Sequence, residues 1–147
     1  MEPLLAYLHY LSIVVLAGFL TAELVVCQPG LGPEHVRLLP WLDIVFFAGA
    51  MLALLTGLLR LFFYAKGVGF YLPNPAFHTK MTLYVVIAAV SIVPTTRFIR
   101  WRRALETGGQ PPDHRAVARV RRLIHLELGL LALMPLMAVL MARGIGR

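Results

Sequence analysis

The stretch Tyr71-Leu72-Pro73-Asn74-Pro75-Ala76-Phe77-His78-Thr79-Lys80 leads into a long apolar segment and puts a histidine and a lysine at its start. Asn74 followed by Pro75 reads as a helix start. An asparagine side chain accepts from the backbone N–H groups left over in a first turn, and a proline at the first helical position has no N–H to lose. The pattern predicts a helix from Pro75, with His78 in its first turn and Lys80 in its second. If that helix crosses a membrane, Lys80 lies where an unpaired charge is costly and where ionisable groups mark partners or function.

Composition supports the membrane. Of 147 residues, 59% are hydrophobic and 14% are charged, and the mean hydropathy is +0.77. Four segments, at about residues 4–26, 42–64, 77–98 and 123–141, are long enough to cross a hydrocarbon core of about 30 Å at about 1.5 Å per residue. Lipid admits only helices and closed barrels, and the period-two alternation of barrel strands is missing. The expected fold is therefore all-α, an integral membrane four-helix bundle forming a single domain over residues 1–147. The first span is expected to stay in the mature chain, because Glu2 stands where a signal peptide carries positive charge and the apolar run is too long.

The net charge of +7 would suggest nucleic acid in a soluble protein. Here its placement points to topology, and no nucleic-acid partner is expected. Arg97, Arg100, Arg102, Arg103, Arg115, Arg119, Arg121 and Arg122 all flank the connection between the third and fourth spans. The positive-inside rule makes that connection cytoplasmic and leaves both termini outside. These arginines are expected to contact anionic lipid headgroups. The lone Cys27 can form no internal disulfide.

Within the first span His9, Ser12, Leu16, Phe19 and Glu23 recur at helical spacing, a face that must look into the bundle. Pro40-Trp41 is expected to introduce the second span. That span carries Asp43 near one end, Arg60 near the other, and a seam of Gly49, Ala53 and Thr56 between them, small residues that let membrane helices approach closely. In the third span Lys80 shares a face with Tyr84, while His78 lies nearly opposite. In the fourth, Met134, Met137 and Met141 follow Glu127, a stripe that serves packing more often than ligation.

The topology sorts these groups into two layers. The outer one gathers His9, Arg60, His78, Lys80 and the methionines. The inner one gathers Glu23, Asp43, Arg97, Arg121, Arg122, His125 and Glu127, whose mixed signs predict structural ion pairs, with Glu23 and Asp43 bound to Arg97 or to Arg121 and Arg122. For the outer layer the expectation is haem b. A four-helix bundle can hold a porphyrin between facing helices, with His9 ligating the iron, Met137, Met141 or His78 opposite, and Arg60 and Lys80 pairing with the propionates.

Over nearly its whole length the chain resembles a bacterial family of predicted four-helix membrane proteins of unknown function. The likeness is carried by His9 and Glu23, Thr56-Gly57-Leu58-Leu59-Arg60, Tyr71, Asn74-Pro75, Phe77-His78-Thr79-Lys80, Pro94-Thr95 and Trp101-Arg102-Arg103. His9 and Phe77-His78-Thr79-Lys80 also resemble, in part, motifs of the HemJ-type protoporphyrinogen oxidases. The first resemblance implies a multi-pass protein of the bacterial inner membrane. The second implies a b-haem on His9 and oxidation of a porphyrinogen, with electrons passed to quinone; homo-oligomers are compatible with either. The competing expectation is non-enzymatic: a permeation unit, or an accessory subunit of a larger membrane complex, without haem.

Overall fold

The computed structural model describes residues 1–145. Among them are helices α1 (Glu2–Val26), α2 (Pro33–Phe63), α3 (Val68–Tyr71), α4 (Pro75–Glu106) and α5 (His114–Ala142), joined by turns. All but the single-turn α3 are long and apolar enough to cross a membrane. α1 packs mainly on α2 and α4 mainly on α5, while α2 meets α4 and α1 meets α5. The four long helices thus close a ring in the order α1, α2, α4, α5, with neighbours antiparallel.

The helix ends follow local chemistry. Asn74 Oδ1 accepts from Ala76 N at 2.9 Å, and Pro75 occupies the first helical position. Asp113 caps α5 in the same way, accepting from Ala116 N at 2.7 Å. One boundary differs from expectation. α2 begins at Pro33, directly after Gly32, so Pro40 falls inside the helix and is buried there instead of opening it. Pro33 already supplies the N–H-free first position, and Pro40 costs the helix one hydrogen bond without ending it. The polar run from His114 is not a separate surface helix; it continues into the apolar span as one piece.

Each long helix buries one stripe. On α4 the stripe is Ile87, Ser91, Pro94, Phe98 and Trp101; on α5 it is Val117, Val120, Ile124 and Glu127. The core therefore sits toward the end where the arginines lie. Past Glu127 no described residue of α5 is buried, so the opposite end, where α1 begins and α5 finishes, is packed more loosely. We call the two ends the arginine end and the terminal end.

The α1–α2 seam is close. A Cβ built on Gly49 would stand 3.1 Å from Leu16 Cβ and 3.3 Å from its backbone N, tighter than ordinary contact. Gly49→Val should force the helices apart and cost about 1–3 kcal/mol, the usual range for overpacking. Thermal unfolding in detergent measures this, with Gly18→Ala, whose Cβ meets nothing within 4 Å, as control. An unchanged Tm for Gly49→Val would contradict the seam.

Candidate functional site

At the terminal end His9 crosses from α1 to α2. Its Nδ1 lies 3.0 Å from the Ala53 carbonyl oxygen and 3.1 Å from Thr56 Oγ1. A carbonyl can only accept, and the Thr56 hydroxyl already donates to Leu52 O at 2.7 Å. Both partners therefore accept from His9, which makes Nδ1 the protonated nitrogen and leaves a lone pair on Nε2. Gly57 makes room for the ring: a Cβ there would come within 3.0 Å of His9 Cε1. Ser12 ties the turn below by donating to His9 O at 2.7 Å.

Two cations stand near this ring. α4 is held against α2 by the Tyr84 hydroxyl, which donates to Ala50 O at 2.9 Å, and Lys80 is one turn away on the same face. Lys80 and Arg60 both act electrostatically on His9 and on each other. Arg60 meets Glu2 loosely, Nη2 to Oε1 at 3.5 Å, and lies 5.7 Å over the Tyr10 ring, while its Nε is buried with no hydrogen-bond partner. Among the described residues no carboxylate comes within ion-pair distance of Lys80. The cluster thus has more positive charge than its acids neutralise.

The other expected members of the outer layer are placed differently. His78 is exposed, and its Nε2 sits 2.7 Å from Leu72 O, where it helps close the α3–α4 turn. Met137 and Met141 are half-buried on the last turns of α5. Those turns belong to this end, as Lys66 Nζ donates to Ala142 O at 3.2 Å. His9, Arg60 and Lys80 are the group the fold brings together.

The inner layer is corrected by the structure. Glu23 from α1, Asp43 from α2 and Glu127 from α5 are buried at 1%, 5% and 1% exposure, yet no cation among the described residues comes within ion-pair distance of any of them. The expected pairs with Arg97, Arg121 and Arg122 do not form, because these side chains lie one or two positions off the buried stripes. Arg97 precedes Phe98 on α4, and Arg122 and His125 flank Ile124 on α5; all three are exposed. Arg121 turns instead to the end of α1, donating to Leu24 O at 2.7 Å and Cys27 O at 2.6 Å. Glu23, Asp43 and Glu127 lie close enough to act on one another electrostatically. Thr95 of α4 faces Asp43, but its Oγ1 completes no hydrogen bond. Next to this group, beyond the end of α1, burial pushes the Cys27 thiol up to about 11, so it stays protonated and unreactive.

A family model for a predicted membrane protein, DUF2214, matches residues 1–146. The chain belongs to that family. Neither a curated protein nor a solved structure matches it. The family description covers the membrane location and leaves the site to be argued from its geometry. Sequence reading missed three parts of this family member's site: the Ala53 and Thr56 anchors of His9, the Tyr84 tie beside Lys80, and the Arg121 staple. Tyr84 carried a signal, since it stands four residues after Lys80 on one helical face, and Ala53 and Thr56 were legible as a small-residue seam though not as hydrogen-bond partners.

Proposed function

We propose that the chain is a haem-b-binding membrane redox protein with His9 as axial ligand. The observation that carries this reading is the fixed tautomer of His9: Nδ1–H is committed to Ala53 O and Thr56 Oγ1, and Nε2 keeps its lone pair. A histidine whose second nitrogen donates to a carbonyl is oriented and made more basic toward a metal. The rest of the cluster suits the group as well. Glu2 reaches only Nη2 of Arg60, at 3.5 Å, and leaves its buried Nε without a partner, while no carboxylate among the described residues pairs with Lys80; propionates are carboxylates. The loose packing past Glu127 leaves this end less filled by the chain's own side chains.

When bound, a b-haem supplies one-electron chemistry at the iron. The protein's own part is to hold the imidazole, neutralise the propionates and exclude water with the surrounding apolar helices. The motif likeness around His9 and Phe77–Lys80 supports a porphyrinogen as electron donor and a membrane quinone as acceptor. A visible spectrum of gently purified protein tests the reading. A Soret band and an α-band that respond to reductant are expected, whereas a colourless preparation that takes up no added haem would overturn it in favour of a permeation or accessory role.

For topology, we propose a bacterial inner membrane protein with both termini outside. Its support is the arginine excess at one end of the bundle. A Gln110→Cys variant labelled by an impermeant maleimide should react only after the membrane is opened from the cytoplasmic side. Gln110 is exposed, while the buried Cys27 gives no background. Labelling of intact cells from outside would reverse the orientation.

A further inference from the structure

We infer that Glu23, Asp43 and Glu127 form a proton-holding site inside the bundle, separate from His9 and independent of whether haem is bound there. Each acid comes from a different helix, so the convergence is a property of the tertiary fold. Glu23 and Asp43 are buried at 1% and 5% exposure and close enough to act on each other. Two buried carboxylates side by side repel, and a proton on either one removes that repulsion.

A second observation extends the argument past that pair. Glu127 is buried on α5 at 1% exposure, is aimed toward the pair, and has neither Oε1 nor Oε2 partnered; Glu23 Oε1 and Thr95 Oγ1 are likewise without partners. An ionised carboxylate with no donor on either oxygen, in a lipid-embedded core, is among the most costly arrangements a protein can hold. The groups facing the site do not relieve it. α4 contributes Thr95, which has no charge. On α5 and at the end of α1 stand Arg121 and Cys27; Arg121 turns its Nη1 to Leu24 O and Cys27 O and makes no ion pair with the acids.

The site needs positive charge from a small cation. Among the described residues no three His, Cys, Asp or Glu side chains converge in a way that could hold a metal ion. The proton fits, because it needs only one oxygen on each side. Uptake converts a carboxylate to a neutral acid, and release hands the proton to water or another base and restores the carboxylate. The site can therefore store a proton.

Infrared spectroscopy of the purified full-length protein tests this. At neutral pH a carbonyl stretch of neutral carboxylic acid is expected, shifted on transfer to heavy water. The remaining acids, Glu2, Glu34, Glu106 and Asp113, lie at helix ends or in connections and do not share this buried setting. The band should weaken in Glu23→Gln and in Glu127→Gln, and both variants should keep their Tm, since an amide stands in for a neutral acid. Wild-type protein with no such band overturns the proposal, whatever the variants do. So does a band untouched by both substitutions. Loss of Tm in the amide variants, together with stabilisation of the wild type by an added divalent cation, would assign the site to a metal and overturn it as well. All of these readouts hold in haem-free protein, so failure here is distinguishable from failure of the haem reading.

Discussion

His9→Ala should abolish haem binding in protein that remains folded, with loss of the Soret band both in the purified state and after added haem. The imidazole is the one ligand whose free nitrogen is set by two anchors, Ala53 O at 3.0 Å and Thr56 Oγ1 at 3.1 Å. Thr56→Val removes one anchor and leaves the ligand in place. It should weaken haem affinity about 10–100-fold, the usual effect of losing a group that orients a metal-bound histidine. His78→Ala should leave the spectrum unchanged, because that ring is exposed and engaged with Leu72 O. Met137→Ala and Met141→Ala then separate a six-coordinate iron from a five-coordinate one: a spectral change in either names the opposing ligand. Full haem retention without His9 would refute the assignment. In that case His9 is a tie between α1 and α2, and its loss would show only as about 1 kcal/mol of stability.

Arg121→Ala should be the most destabilising change at the arginine end. Its guanidinium donates to two carbonyls at the end of α1, Leu24 O and Cys27 O, at 2.7 and 2.6 Å. Carbonyls in a helix's last turn have no intrahelical donor, and a cation there also meets the negative end of the helix dipole. Hydrogen bonds to a charged group contribute about 1.5–3 kcal/mol each, and loss of both should cost about 3 kcal/mol or more. Arg121→Lys should recover only part, since a lysine ammonium is more strongly hydrated than a guanidinium and sits on a flexible stem that does not hold it against the two carbonyls. Thermal unfolding followed by circular dichroism measures the loss. Arg119→Ala and Arg122→Ala, whose side chains are exposed, should stay within about 0.5 kcal/mol of the parent. Arg121→Ala with a parental Tm would show that the staple contributes nothing.

Long apolar segments, the Asn74-Pro75 start, the Asp113 cap and the clustering of arginines near one connection were all readable from the chain by itself. They depend on local chemistry and on the need to satisfy every backbone group inside lipid. The inward turn of Glu23 and the small-residue seam at Gly49, Ala53 and Thr56 were readable too, because helical periodicity places them on one face. Tertiary structure alone decided which charges meet. A shift of one residue along a helix turns a side chain by about 100°, and nothing in a sequence fixes the rotation of one helix against the next to that accuracy. Arg97 beside Phe98, and Arg122 two residues before Ile124, were close enough in sequence to promise ion pairs with the buried acids. Packing of Phe98 and Ile124 into the core turned both arginines outward. The same packing left three carboxyl groups together without a cation, and it put the Ala53 carbonyl opposite His9, which selects the ring nitrogen left free to bind.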